Sequence, residues 1–334
     1  MIASFRPARS SSAGRRAGTW AHRHLGPAAL LVLGLVLLLA LASPAAGAGG
    51  AGTARRSRHH RRHHRRHRRP PTCSGTAEHP GVLAGEYKGE ATVGGYCVVD
   101  RGLALIDGNL TLLPGSTLVA DYALDDLTHA GESILAVEHD LIVDAGATAL
   151  LGCEPTHFVC ADDPNQNPGT LSNKISIAGD LIEHEPLGVV VHHADISGSV
   201  TETGGGGVQC KSVGAFQAVH FPVYSDYEDT GIGGNLTITG MRGCWLGIAR
   251  VEVNGNVSIV DDQMEDEDAI EILSDDIGGN LLCVGNRTVW DDEGDGEAQW
   301  PRIPYPDDVH GTRSGQCLVS SPTEPGGASG PGAF

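Results

Sequence analysis

The hexapeptide GGNLTI at Gly233–Ile238 decides the fold of this 334-residue chain, because six variants of it recur elsewhere in the sequence. The six are DGNLTL (Asp107–Leu112), EHDLIV (Glu138–Val143), AGDLIE (Ala178–Glu183), SGSVTE (Ser197–Glu202), NGNVSI (Asn254–Ile259) and GGNLLC (Gly278–Cys283). Their second residues stand at 108, 139, 179, 198, 234, 255 and 279, so the intervals are 31, 40, 19, 36, 21 and 24 residues. A basic period of about 20 residues indicates a solenoid, whose units bury their apolar faces only by stacking.

Each copy reads as a tight turn followed by a short strand. Glycine tolerates positive φ in such a turn, and Asn or Asp can hydrogen-bond to its own backbone there. Leu236 and Ile238 are expected to point inward and Thr237 outward, which is the two-residue period of a strand with one buried face. A second strand follows another turn, as in LLPGSTLVA at Leu113–Ala120.

Strands joined by glycine turns without intervening helices predict an all-β fold. We expect a single-stranded parallel β-helix of about seven coils, right-handed because parallel crossovers favour that hand. Its aliphatic side chains stack into one core, each contributing about 1.5–3 kcal/mol when buried. A β-sandwich is the competing architecture, but it does not need the same Gly-Asn turn at each repeat.

Charge divides the chain into two regions of opposite sign. Residues 1–72 hold 14 of the 23 Lys and Arg residues and no acid, so the remaining 9 face all 41 Asp and Glu residues, a net charge of about −32. Such a body is expected to repel nucleic acids and anionic membranes.

The N-terminus has the organisation of an export signal. Five Arg residues precede the 15-residue apolar run at Ala28–Ala42, and Ala46-Gly47-Ala48 offers a cleavage site. The run is shorter than the roughly 20 residues that span a bilayer, which favours cleavage over anchoring. We therefore predict a signal peptide over residues 1–48 and a secreted or cell-envelope protein.

Two further segments lack the repeat. In residues 49–72, the stretch Arg55–Pro71 contains nine Arg residues and has no apolar content, so we expect a disordered arm that binds anionic wall polymers or polysaccharides, lipid headgroups or the acidic body itself. Residues 318–334 are predicted to be a disordered tail. The domain between them is expected to cover residues 73–317.

Eight cysteines in an exported protein indicate disulfides, and neither a C-x-x-C motif nor a Cys-His zinc spacing occurs. A solenoid brings sequence neighbours together, which favours local pairing. The predicted pairs are Cys73–Cys97, Cys153–Cys160, Cys210–Cys244 and Cys283–Cys317.

The stretch GEYKGEATVGGYCVV (Gly85–Val99), the GGNLTI-type turns and the closing GGNLLCVGN…GQC (Gly278–Cys317) resemble a group of uncharacterised exported β-helix repeat proteins of high-GC bacteria. The resemblance covers about residues 73–317. It implies a right-handed helix with disulfide-stapled ends. More distantly the repeat is similar to that of the polymer-forming bactofilins, which are cytoplasmic and lack disulfides, so assembly is not carried over. No catalytic residue comes with the resemblance.

Many exported β-helices degrade polysaccharides with acids grouped on one coil face. This chain has acid pairs at 125–126, 162–163, 261–262, 275–276, 291–292 and 307–308, all in predicted loops, and we expect them to be solvated. The polygalacturonase signatures Asn-Thr-Asp, Gly-His-Gly and Arg-Ile-Lys are absent. The sequence therefore favours a non-catalytic structural or adhesive module, with a polysaccharide lyase or hydrolase and a Ca²⁺-dependent glycan-binding module as alternatives.

Two metal sites can be written from the sequence. Asp291, Glu293 and Asp295 alternate before Gly296 as at the start of an EF-hand loop, which makes them a Ca²⁺ candidate, although Arg302 stands where the twelfth-position Glu is required. The second is a transition-metal candidate at His184, His192 and His193, but His192 and His193 point to opposite sides of a strand, so one is expected to be packed and the other exposed. No other cofactor is expected, and recognition is assigned to loops at about 121–133, 152–173, 203–231, 261–276 and 285–312.

Overall fold

A computed structural model of the protein describes residues 72–99, 102–120, 133–153, 174–207, 210–266, 270–292 and 307–319. In these ranges 27 short strands form three parallel sheets of nine strands each. Each strand pairs with the strand three places away in the chain, which is the topology of a parallel β-helix. The predicted fold class is therefore confirmed. The predicted signal peptide and almost all of the predicted arm and tail lie outside the described residues, and within those residues no helix is both long enough and apolar enough to cross a membrane.

In chain order the strands are β1 (Gly81–Val82), β2 (Gly85–Tyr87), β3 (Ala91–Val93), β4 (Tyr96–Val99), β5 (Gly102–Ile106), β6 (Leu110–Leu112), β7 (Thr117–Ala120), β8 (Ser133–Val137), β9 (Leu141–Val143), β10 (Thr148–Leu151), β11 (Lys174–Ile177), β12 (Leu181–His184), β13 (Gly188–His192), β14 (Ala194–Ile196), β15 (Val200–Thr203), β16 (Tyr224–Glu228), β17 (Gly231–Ile232), β18 (Leu236–Thr239), β19 (Trp245–Ala249), β20 (Glu252–Val253), β21 (Val257–Val260), β22 (Ile270–Leu273), β23 (Asp276–Ile277), β24 (Leu281–Val284), β25 (Trp290–Asp292), β26 (Asp308–Val309) and β27 (Arg313–Gly315). A one-turn helix α1 covers Phe216–Val219 and a 3₁₀ turn covers Gln316–Leu318.

Sheet 1 runs from β1 through every third strand to β25, sheet 2 from β2 to β26 and sheet 3 from β3 to β27. Each GGNLTI-type motif is the corner between sheet 2 and sheet 3. As predicted, Leu236 and Ile238 are buried and Thr237 between them is partly exposed. Sheet 1 differs, since every residue of β13, β16 and β19 is buried, so both of its faces are covered there.

Nine strands per sheet make nine coils in the described residues, two more than the seven motif copies. The extra coils are the two ends, where Glu90 and Thr312 occupy the place of the turn Asn and hide the repeat. Three predicted loops were also wrong in part. The segment 203–231 contains α1 and β16, 261–276 contains β22, and 285–312 contains β25, because a strand covered on both faces does not alternate in sequence.

The motif glycines are required for a different reason from the one predicted. The only positive φ angles among described glycines lie elsewhere, as at Gly240 (φ +72°) in the corner between sheet 3 and sheet 1. A Cβ at Gly255 would instead lie 2.4 Å from Asn235 Oδ1 and 2.5 Å from the Gly234 carbonyl oxygen. The glycine is needed because the backbones of successive coils approach too closely for a side chain.

The polar residue after each motif glycine bonds to the next coil and not, as predicted, to its own backbone. Its side-chain oxygen accepts the backbone N–H of the equivalent residue one coil further on. Seven such bonds of 2.7–3.2 Å link described residues in the order Asn109, Asp140, Asp180, Ser199, Asn235, Asn256, Asn280 and Thr312. We call this series the corner ladder. It satisfies the corner N–H groups and fixes the register between coils.

Three disulfides join described cysteines, namely Cys73–Cys97, Cys210–Cys244 and Cys283–Cys317, and these are pairs expected from the sequence. The first and third staple the two ends of the coil stack. Cys153 is also disulfide-bonded, but its expected partner Cys160 lies outside the described residues. No described cysteine is free.

Candidate functional site

Two glutamates stand inside the coils at positions where the neighbouring coils have aliphatic residues. Glu183 in β12 and Glu202 in β15 are paired in register, and both are fully buried. The coils on either side place Val143 and Ile238 at the same position of sheet 3. From sheet 1, the Tyr227 hydroxyl lies 2.8 Å from Glu183 Oε2 and 3.1 Å from Glu202 Oε2. These three side chains form a polar cluster in an otherwise aliphatic interior.

Burial determines the ionisation of this pair, because a carboxylate loses its hydration there. Burial raises the pKa of Glu202 to about 7, although hydrogen bonds from Ser225 (2.9 Å) and Tyr227 lower it. Burial, followed by the charge of Glu202, raises the pKa of Glu183 well above its ordinary value of 4.5. Since burial raises both pKa values, the pair favours retaining a proton in the folded protein.

A second buried group of acids lies in the last coils. Asp275 and Asp307 occupy the same corner, between sheets 1 and 2, in two successive coils. Asp307 Oδ1 accepts the Asp275 N–H at 2.7 Å, and Asp275 Oδ1 accepts the Val251 N–H at 2.7 Å. Burial and then the charge of Asp275 raise the pKa of Asp307 to about 11. Burial also raises the pKa of Asp275 well above its ordinary value. Burial therefore favours the protonated form of these carboxyl groups, which bond to the backbone of the corner.

Asp291, the first residue of the predicted Ca²⁺ site, lies in β25 beside this group. It is buried and forms an ion pair with Arg313 of β27, which also donates from Nη2 to the Asp307 carbonyl oxygen at 3.0 Å. Glu293 and Asp295 lie outside the described residues, so the Ca²⁺ site stays a prediction. Asp291, the described residue of that site, pairs with Arg313 at the C-terminal end of the coil interior.

A histidine and two acids meet on the outer face of sheet 1. His192 ends β13, and Asp226 and Glu228 lie on β16, with Glu228 in register with His192. His192 Nε2 lies 3.1 Å from Asp226 Oδ2 and 3.6 Å from Glu228 Oε2. All three side chains are at least 95% buried, with exposures of 0%, 1% and 5%. His193 was expected on the opposite side of the strand, but β13 ends at His192, and His193 lies in the following bend with φ +50° and is partly exposed.

The exposed acids of sheet 2 are arranged differently from these buried groups. On sheet 2, Asp195, Glu252, Asp276 and Asp308 occupy one register row, with Gly231 between the first two. All four are exposed. A shallow depression of about 200 Å³ lies over Gly231 between Asp195 and Glu252. Strand spacing sets Glu252, Asp276 and Asp308 of this acidic row about 4.8 Å apart along the sheet, and Asp195 twice that distance from Glu252.

The expectation that the acid pairs are solvated was wrong for the described ones. In each of the pairs at 261–262, 275–276 and 307–308 one member is buried and the other is not, because the pair straddles a corner of the coil. Asp262, for example, accepts the Met241 N–H at 2.6 Å, and burial raises its pKa to about 6. The pairs at 125–126 and 162–163 lie outside the described residues.

Sequence reasoning missed the interior glutamates, although a signal was present. Glu183 and Glu202 end the motif copies AGDLIE and SGSVTE, where the other copies end in Leu, Val, Ile or Cys. An acid at an inward position predicts a buried polar cluster.

The chain matches no protein-family model, no curated protein and no solved structure.

Proposed function

We propose that this protein is an exported, non-catalytic structural or adhesive module of the cell envelope or extracellular space. One observation carries the proposal. The acids that meet inside the coils or at a covered corner, Glu183 with Glu202 and Asp275 with Asp307, are buried and have raised pKa values, whereas the exposed acids of the acidic row come at most one per coil.

The spacing of acids separates this function from a polysaccharide-degrading one. A glycosidase or lyase needs two or more acidic or basic groups that reach one glycosidic bond from an open groove. In the described part of the chain, Glu183 with Glu202 and Asp275 with Asp307 are buried and closed to a substrate, and the exposed Asp276 and Asp308 are both engaged by His310. The acidic row is open, but its members repeat along a flat sheet, which suits a ligand that is itself repetitive.

Rigidity supports a structural role. The corner ladder continues over eight coils, and disulfides fasten the first and last coils. A stack fastened in this way keeps the acidic row in a fixed register, so that a long polymer or a layer of cations can contact several coils at once. The row and the Arg-rich arm at 49–72 have opposite charge, and we assign the arm to anionic wall polymers.

Export is the second part of the proposal. Disulfides persist in oxidising compartments, and three described ones fit a protein that has left the cytoplasm. The N-terminal pattern of residues 1–48 is that of an export signal. Cell fractionation with an antibody against the folded domain, followed by N-terminal sequencing, is expected to find the mature chain outside the cytoplasm.

The decisive experiment presents the mature protein to a panel of wall polymers and polysaccharides and records binding and cleavage together. We expect retention on at least one polymer without new reducing ends or unsaturated products. Turnover that a single Asp→Asn replacement in the acidic row abolishes would establish the enzyme instead. Binding that EDTA removes and Ca²⁺ restores would favour the Ca²⁺-dependent glycan-binding alternative.

A further inference from the structure

We infer that His192, Asp226 and Glu228 form a structural binding site for a divalent transition-metal ion, with Zn²⁺ the best match. We call these three residues the sheet 1 triad. The inference is independent of what the outer faces of the protein bind, because the triad is buried.

The strand pattern brings the three donor atoms to one side of sheet 1. On β16, Ser225 and Tyr227 turn inward, where they contact Glu202. Strand alternation therefore turns Asp226 and Glu228 outward. Parallel pairing sets Glu228 beside His192 and Asp226 one step diagonal to it. The three donor atoms lie within 4.8 Å of one another.

The distances match ligands that share an ion. Zn²⁺ bonds of about 2.0–2.1 Å to imidazole nitrogen and carboxylate oxygen place tetrahedral ligand atoms about 3.3 Å apart. The measured separations from His192 Nε2 are 3.1 Å and 3.6 Å. A single Nε2 proton can be directed at only one oxygen, and 3.6 Å is too long for a hydrogen bond. An ion between the three atoms engages both carboxylates.

Charge in this region also calls for a cation. Asp226, Glu228 and the adjacent Asp229 provide three carboxylates, and Arg250 is the cation that pairs with this group among the described residues. Arg250 reaches both oxygens of Asp229 at 2.9 Å and contacts Glu228 through Oε1, so the Glu228 oxygen that faces His192 is the other one. A divalent ion would compensate the charge of the two buried carboxylates of the triad.

The donor set selects the class of metal. Imidazole nitrogen is a poor ligand for Ca²⁺ and Mg²⁺, whereas Zn²⁺ and Mn²⁺ accept nitrogen and carboxylate oxygen together. Three protein ligands leave one position of a tetrahedral ion to water, and because all three are buried we assign the ion a structural role. The position of the site suggests what the ion does. The connection from β15 to β16 carries a long insertion that includes α1 and Cys210 of the disulfide Cys210–Cys244, and the ion would join β16, the strand after this insertion, to β13.

The test measures metal in the mature protein. After purification without chelator and exhaustive dialysis, we expect about one equivalent of Zn²⁺ or Mn²⁺ by mass spectrometry. Removal with a chelator is expected to lower Tm, and a Zn²⁺ concentration a hundredfold above Kd to restore it by about 5–10 °C. His192→Gln and Asp226→Asn are each expected to lose at least nine-tenths of the metal.

The matched control is His310→Gln. His310 also lies near two carboxylates, at 3.2 Å from Asp276 and 3.6 Å from Asp308, but it is exposed. This variant is expected to keep the metal. A wild-type protein without metal whose Tm does not respond to Zn²⁺ or Mn²⁺ overturns the inference, and so does full metal content in His192→Gln. Should the triad variants fail to fold, titration of the chelator-treated wild type with Co²⁺ decides, because one equivalent of visible absorption supports the site and its absence refutes it.

Discussion

Replacing Glu202 by Gln is expected to remove a large part of the pH dependence of stability. Glu202 is fully buried and its folded-state pKa is about 7, against 4.5 in an unfolded chain. The folded state therefore holds this proton when the unfolded chain has already released it. Stability is present in full below pH 4.5 and falls as pH rises towards 7. At 1.36 kcal/mol per pKa unit, the loss attributable to Glu202 is about 3 kcal/mol.

The assay is thermal unfolding by circular dichroism at pH 4.5 and pH 8, with the disulfides intact. For a folded domain of this size, about 3 kcal/mol corresponds to a Tm lower by about 6–12 °C at the higher pH. The glutamine side chain of Glu202→Gln keeps an oxygen that can accept from Ser225, but it cannot ionise. The Tm difference between pH 4.5 and pH 8 is therefore expected to shrink by that amount.

The exposed Glu252→Gln in sheet 2 is the matched control and is expected to leave the difference unchanged. A wild-type protein that is as stable at pH 8 as at pH 4.5 would refute the reasoning. The same conclusion would follow if Glu202→Gln and the wild type lost equal amounts of stability between the two pH values.

Two further predictions concern the corner between sheets 2 and 3. Gly255→Ala is expected to destabilise the fold by about 3 kcal/mol or more, because the new Cβ meets backbone of the preceding coil. The control Gly231→Ala, whose Cβ would lie 3.7 Å from Asp195 Oδ1, is expected to be tolerated. Equal denaturation midpoints for the two variants would contradict the close-approach explanation. Asn256→Ala removes the acceptor of the Asn280 N–H (2.9 Å) and is expected to lower the free energy of unfolding in urea by about 1–2 kcal/mol. The control Asn254→Ala, at a neighbouring exposed residue, should be near neutral. An unchanged free energy of unfolding in Asn256→Ala would show that the corner ladder adds no stability.

The repeat predicted the architecture because each coil must satisfy the same two demands at its corner. Residues that meet both demands, a glycine for close approach and a short polar acceptor for the next N–H, leave the pattern visible from Gly108 to Asn280. The physical reason given to each residue was nevertheless wrong, since positive φ and local hydrogen bonding are properties of one chain segment. The contacts that matter join coils 19 to 40 residues apart in sequence.

The buried charged groups were harder to predict for a related reason. Single residues such as Glu183 reveal an anomaly in the pattern, but their partners Glu202 and Tyr227 are defined only by the register of three strands. Asp226 and Glu228 were assigned to a loop, because strand β16 lies between covered faces and its sequence YSDYE has no aliphatic alternation. Their meeting with His192 depends on a pairing across 34 and 36 residues that no local pattern encodes.

The central claim is that the acids converging inside the coils, Glu183 and Glu202, are closed to any substrate. Carboxylate labelling tests this claim most directly. The native mature protein would be treated with a carbodiimide and a small amine at pH 6.5, and labelling at each acid would be measured by peptide mass spectrometry. We predict rapid modification of Glu252, Asp276 and Asp308, with Glu183 and Glu202 protected until the protein is unfolded. Labelling of Glu202 in the folded protein at the rate seen for Glu252 would contradict the account and reopen the case for an enzyme.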